Sequence, residues 1–361
     1  MKFVVFGLTI TSSWGNGHAT LWRSLCRALT RRGHRVTFFE RDVPWYADAR
    51  DLGEMPGLET VIYPDWDSLQ ARAAREVAEA DVAVVTSYCA DGAAASALVL
   101  AGRAARVFYD LDTPVTLAAL TIGERPAYLP PEGLGDFDLV LSFTGGEALG
   151  RLRTELGARR VLPLYGSVDP QTHQPVPSVA EYHADLSYLG TYAADRQPAL
   201  QALLIDPALR MPQRRFVIGG AQYPADFPWA ENIYFVRHMP PQQHPAFFSS
   251  SRLTLNVTRR AMAEAGWCPS GRLFEAAACG AAVLSDKWPG LSDFYTPGEE
   301  ILIAGDAADA IAAIRCGTAE LRRIADRARQ RTLDEHSGDR RARELEAALG
   351  TIAPTTLQTE A

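Results

Sequence analysis

The chain has 361 residues, of which 47% are apolar and 22% charged, and its net charge is −7. These values suit a globular protein of two ordinary domains and exclude a disordered chain. The acidic balance argues against a nucleic-acid binder, which carries a basic domain or stripe.

Short apolar runs alternate with helical patterns from the start. Lys2–Leu8 reads as a first strand, and Leu21, Leu25, Ala28 and Leu29 then recur at helical spacing up to Gly33, a helix-ending glycine. Strands are expected at Arg35–Glu40, Ala80–Thr86, Arg106–Asp110, Asp138–Phe143 and Arg160–Tyr165, with helical stretches such as Gly92–Gly102 and Glu147–Gly157 between them. Residues 166–185 carry three prolines and little periodicity, and read as an interdomain linker. The alternation resumes with strands at Leu186–Tyr192, Arg215–Gly219, Ile233–Arg237, Leu253–Val257, Ala282–Ser285 and Glu300–Ala304, and with helices near His244–Ser249 and Arg272–Cys279. The expected fold is α/β, with two Rossmann-like domains whose parallel sheets face a central cleft. The first domain is assigned to 1–170 and the second to 186–330. A helix over 331–349 is a candidate to cross back to the first domain, and 350–361 reads as a frayed tail.

No stretch reaches the roughly 18 consecutive apolar residues of a membrane span. The apolar run from Phe3 to Ile10, with Lys2 as its one charge, is too short for a secretory signal. Cysteines 26, 89, 268, 279 and 316 contain no CxxC pair, which argues for reduced thiols in a cytoplasmic protein.

Ligands of parallel α/β sheets bind beyond the carboxyl ends of the strands, so the chemistry is sought in those loops. After the first strand, Gly15, Asn16 and Gly17 allow close backbone approach to a ligand, and His18 is a candidate base or diphosphate contact. A dinucleotide fingerprint is a weaker alternative: Thr20 stands where its third glycine belongs, although Glu40 has the position of a ribose-binding acid. Asp110 and Asp112 form a DxD pair, read as a metal site, as acceptor-binding or catalytic acids, or as the cap of the next helix. Of the two, Asp112 is the catalytic candidate.

In the second half, Ser270, Gly271, Arg272 and Leu273 open a helix whose free amides suit a diphosphate, and Glu275 lies one turn in, where a carboxylate accepts from ribose hydroxyls. Thr191, Arg196, Gly220 and His238 follow other strand ends and complete the candidate donor set. Trp14, Trp22 and Tyr88 are read as core residues ahead of sugar platforms.

The segments SSWGNGHATLWRSLCRAL, YDLDTPVTL, LVLSFTGG, DLSYLGTYAADRQ, LTLNVTR, CPSGRLFEAAACGAAVLSD and FYTPGEEIL span most of residues 11–304. In them the chain resembles the CgeB-like (spore-maturation-protein) glycosyltransferases, a branch of the GT-B superfamily near the family 4 enzymes. The resemblance implies transfer of a sugar from a UDP-, dTDP- or GDP-linked donor to an acceptor hydroxyl, with no metal and no tightly bound cofactor. It implies the 270–273 loop on the diphosphate, Glu275 on the ribose, and retention of configuration. Family 4 enzymes carry a second glutamate eight positions earlier, where this chain has Trp267. Retention needs no enzymatic base; inversion does, and His18 and Asp112 are its candidates. The alternatives are a non-catalytic scaffold that holds a nucleotide sugar, and a nucleotide-sugar epimerase. The acceptor, whether glycan, lipid-linked or a small metabolite, and the oligomeric state are not encoded in any motif.

Overall fold

The computed structural model describes residues 1–237 and 239–352. The chain divides into two compact units: Met1–Tyr165 together with the chain from Gly338, and Gly166–Ser337.

The first unit is a seven-stranded parallel sheet. Its strands are β1 (Lys2–Gly7), β2 (Arg35–Arg41), β3 (Leu58–Tyr63), β4 (Val82–Thr86), β5 (Ala105–Asp110), β6 (Leu139–Ser142) and β7 (Val161–Pro163), in the order 3-2-1-4-5-6-7. This is the doubly wound order, whose reversal falls between β1 and β4. Because successive side chains of a strand point to opposite faces, Val4 and Phe6 join one core while Phe3 and Val5 join the other. A strand buried on both faces has no polar alternation, hence the continuous apolar runs of the sequence. The strand β3 and the helix Trp66–Ala78 were absent from the sequence reading. LETVIY is an edge strand that leaves Ile62 exposed, so it shows no buried run.

The second unit repeats the plan with β8 (Leu186–Leu189), β9 (Phe216–Gly220), β10 (Ile233–Arg237), β11 (Leu253–Asn256), β12 (Ala282–Ser285) and β13 (Leu302–Ile303). Its order is 10-9-8-11-12-13, all pairs parallel, with the reversal between β8 and β11. The segment 166–185 is not a free linker but part of this unit. Its prolines keep it out of α-helix and out of the named strands, and its one helical turn is the 3-10 turn Ala180–Tyr182; Val168 is buried, Asp169 accepts the Gln171 and His173 amides, and Ser249 and Ser250 accept those of Val176 and Val179.

The helix expected over 331–349 is two helices. Thr318–Glu335 stays with the second unit, and Gly338–Gly350 packs in the first. Gly338 marks the break: a Cβ there would lie 2.6 Å from the Ser24 carbonyl oxygen. The second helix lays Ala342, Leu345, Ala348 and Leu349 against Leu21, Leu25 and Leu29. Arg32 holds its Glu346 through two bonds of 2.7 and 2.6 Å, and His34 adds a third at 2.7 Å. Those bonds, Arg32 foremost, depress the Glu346 carboxyl to about 2. The tail beyond Ile352, read as frayed, lies outside the described residues. All five cysteines are free, and no helix among the described residues is long and apolar enough to cross a membrane.

Candidate functional site

In the first unit, the loop after β1 is fixed from below. The buried carboxylate of Glu40, at the end of β2, accepts the amides of Ile10 (2.8 Å) and Thr11 (3.0 Å) and the Thr11 hydroxyl. That engagement corrects the ribose-acid reading of Glu40, because no oxygen remains uncommitted to the loop. Asn16 is likewise structural and not a donor contact. Its Oδ1 accepts the Ala19 amide and its Nδ2 bonds the Ser12 and Trp14 carbonyls, which tie off the loop and the start of the helix His18–Arg31. Gly15, at φ +67, and Gly17 have open space where a Cβ would go, so both leave backbone accessible.

This scaffold carries His18 to Asp112, 94 residues away in sequence. His18 Nε2 lies 2.6 Å from Asp112 Oδ2. Asp112 occupies the N-cap position of the helix Thr113–Thr121, but its side chain caps nothing and is given to His18 instead. His18 Nδ1 is buried without a partner, so the more exposed face of the pair is the Asp112 carboxylate. Tyr88 stands edge-on to His18, with ring centroids 5.8 Å apart. Trp14 and Tyr88 are exposed at 42% and 39%, against their reading as core; Trp22 is buried.

Asp110 differs from its neighbour in every respect. It is fully buried at the end of β5, its Oδ1 accepts the Asp112 amide at 3.1 Å, and its Oδ2 has no partner. Burial pushes its carboxyl up to about 6. The DxD pair therefore does not present two carboxylates to one ion, which corrects the metal reading of that motif.

In the second unit, the carboxyl ends of β8 and β11 gather cations. Arg272, second residue of the helix Gly271–Ala278, lies over the Tyr188 ring at 5.0 Å and donates to Asn256 Oδ1 at 3.2 Å. Arg196 donates to the Thr191 carbonyl at 3.3 Å, and its Nε is buried without a partner. Burial, with added repulsion from Arg272 and Arg259, pulls the Arg196 guanidinium below its ordinary value, though an arginine stays charged. Among the described residues neither guanidinium is paired with a carboxylate; the nearby Asp195 is taken by Arg259 at 3.2 Å. Two partly buried cations without a carboxylate, beside a helix N-terminus, have the chemistry that an anion site requires.

Asn256 organises this corner. Its Oδ1 accepts both the Ser270 hydroxyl (2.7 Å) and Arg272, and its Nδ2 donates to Ser285 at 3.1 Å. Ser270 therefore serves as a backbone N-cap with its hydroxyl committed elsewhere. Leu273 is corrected: its side chain is fully buried and its amide bonds the Ser270 carbonyl at 3.1 Å, which leaves the Gly271 and Arg272 amides for a ligand. Gly220 is corrected too. It is buried, and a Cβ there would lie 2.1 Å from the Gly190 carbonyl oxygen, so it serves the close approach of β9 to β8. His238 lies outside the described residues.

Glu275 stands one turn into the helix, with Oε2 3.9 Å from His244 Nδ1. Burial lowers the His244 imidazole below its ordinary value despite that carboxylate. His244 and its neighbour His173 were missed in the sequence, where single histidines carry no motif. At the position of the absent glutamate, Trp267 has φ +42 and its Nε1 donates to Asp293 at 2.6 Å, and the ring packs on Gly290. It is fastened as structure. Nearby, Arg259 pairs with Asp195 and Glu264 with Arg260.

A family model described as glycosyl transferase-like matches residues 196–347, which include Arg196, Arg272 and Glu275. Among solved structures, sucrose-phosphate synthase from Thermosynechococcus elongatus is 16% identical with a TM-score of 0.68, covering 96% of this chain and 97% of that one. Anabaena HepE in complex with UDP and glucose is 14% identical at 0.66, with 97% and 100% covered. An E. coli trehalose-6-phosphate protein bound with UDP-2-fluoro glucose is 13% identical at 0.65, with 98% and 100% covered. No curated protein matches by sequence. The shared fold is GT-B, two Rossmann-like units along one chain. The family match is confined to residues 196–347, and the likeness to these structures shows the fold.

Proposed function

We propose that the chain transfers a sugar from a nucleoside-diphosphate donor to an acceptor hydroxyl, with the donor held by the second unit and the acceptor received by the first. The observation that carries this is the unpaired guanidinium couple Arg196 and Arg272 beside the free Gly271 and Arg272 amides. A diphosphate supplies the missing anion. As the bond from the anomeric carbon to the phosphate oxygen breaks, its electron pair leaves with the diphosphate. Cations and amides preorganised there stabilise the transition state more than the ground state. Glu275 accepts from the ribose. UDP is the first nucleotide to try, because HepE and the E. coli protein bind UDP or a UDP sugar.

At the acceptor, the His18–Asp112 pair supplies what inversion requires. The acceptor oxygen attacks the anomeric carbon while its proton passes to Asp112, and the His18 N–H orients and steadies that carboxylate. Trp267 in place of the first glutamate points the same way, so inversion is favoured over the retention implied by the resemblance to CgeB-like enzymes.

The test begins with a thermal-shift panel of UDP, dTDP, GDP, ADP and CDP, with and without Mg²⁺, since a ligand specific to the folded state raises its apparent stability. The matching nucleotide sugar is then offered with candidate acceptors, and the product's anomeric configuration is read by NMR. A shift by one nucleotide independent of metal, acceptor-dependent release of that diphosphate, and an inverted product are expected. No shift with any nucleotide sinks the donor site. Release without transfer sinks the transferase reading, and a retained anomer sinks the role of the pair as base.

A further inference from the structure

Beneath the donor helix, three Lewis bases converge from separate segments of the second unit. His173 comes from the proline-rich stretch 166–185, His244 opens the helix His244–Ser249, and Glu275 belongs to the helix Gly271–Ala278. Among the described residues theirs is the group of three whose ligand atoms, one from each, all lie within 4.8 Å of one another. His173 is 6% exposed, and neither of its ring nitrogens has a hydrogen-bond partner. His244 Nδ1 is also buried and unpartnered, and faces Glu275 Oε2 at 3.9 Å. A neutral imidazole keeps one lone pair whichever nitrogen holds its proton, and a carboxylate only accepts. The cluster thus offers lone pairs with no cation at its centre.

We propose that His173, His244 and Glu275 bind one divalent transition-metal ion of the zinc class. Two imidazoles and one carboxylate suit zinc, cobalt or nickel better than magnesium or calcium, which prefer oxygen. Zinc bonds of about 2.0–2.2 Å put neighbouring ligand atoms about 3.4 Å apart, so a side-chain shift of about 1 Å closes the set. The ion takes Glu275 through Oε2 and leaves Oε1 for the ribose. It pins the carboxylate and ties the 166–185 stretch to the donor helix. This goes beyond the transfer reading, which uses no metal.

The experiment uses tag-free, full-length protein, stripped with a chelator and titrated with Zn²⁺, and with Co²⁺ as a spectroscopic probe. Uptake of one equivalent per chain, a rise in Tm and a visible Co²⁺ band are expected. His173→Phe, which preserves packing volume, weakens uptake more than about tenfold while the variant stays folded by circular dichroism. Absence of saturable uptake by folded wild-type protein overturns the proposal, as does uptake undiminished in both His173→Phe and Glu275→Gln. The UDP-induced thermal shift, recorded on the same samples, reports the donor site separately. Metal failure with a retained shift sinks this proposal alone, and metal uptake with no shift sinks the donor reading alone.

Discussion

At the carboxyl ends of β2 and β5 the first unit places acids: Glu40 and Asp110 buried, Asp112 partly exposed and bonded to His18. At the corresponding ends of β8 and β11 the second unit places Arg196, Arg272 and a helix N-terminus. The two sheets share one strand order over six strands, β7 being extra in the first, so topology supplies the position and the residues supply the sign. In the proposed transfer, the unit edged by carboxylates takes the proton and the unit edged by guanidiniums takes the phosphate. One fold suits both tasks because only the loop residues need differ.

The largest way to break this contrast is at the proton-taking end. Asp112→Asn is expected to cut transfer about 10³-fold while the UDP thermal shift stays as in wild type. A variant with full activity would return Asp112 to a structural role.

Next is Asp110, whose carboxyl belongs to the fold and not to the reaction. Its folded value, raised to about 6 from 3.8, means the native state holds a proton that the unfolded chain gives up first. Stability is therefore lost as pH rises from about 4 to 6, by about 3 kcal/mol in all. Asp110→Asn is expected to recover stability of that order at pH 7.5 and nothing below pH 4, as measured by urea unfolding at the two pH values. An unchanged difference between them would show that this burial carries no penalty.

At the phosphate-taking end, Arg272→Ala removes a charge-assisted contact of about 2 kcal/mol, so UDP affinity is expected to fall about 30-fold by calorimetry, with no change in the Asp110-dependent pH profile. The smallest effect is expected from Glu275→Gln: about tenfold weaker binding of UDP, and less loss for a deoxyribose diphosphate that offers one hydroxyl fewer. Equal losses for the two sugars would remove Glu275 from the ribose.

Much of the architecture was open to a sequence reading because parallel strands buried on both faces are written as continuous apolar runs. β3 escaped because an edge strand lacks that run. The helix Trp66–Ala78 did carry a signal, with Leu69, Ala73 and Val77 four apart and Asp65 as its cap. His18 and Asp112 were both singled out, but nothing in one dimension shows a 2.6 Å bond across 94 residues. Asn16, Leu273 and Gly220 were misassigned for one reason. A residue at a strand end or helix start is compatible with a ligand contact, and equally with a neighbour's carbonyl or amide, and only coordinates separate the two. His173 and His244 had no chance of being read together, since they are isolated in sequence and meet only through the packing of three segments.

The helix Gly338–Gly350 gives the chain an order of assembly. The second unit is one uninterrupted stretch, whereas the first lacks Ala342, Leu345, Ala348 and Leu349 until the whole of the second has been synthesised. A ribosome that has reached Ser337 has synthesised everything the second unit requires, while the first still lacks the cover over Leu21, Leu25 and Leu29. The domain encoded first is thus the one finished last. A stop codon directly after Ser337 would spare the second unit and leave the first with a bare apolar face, a product for chaperones and proteases to remove.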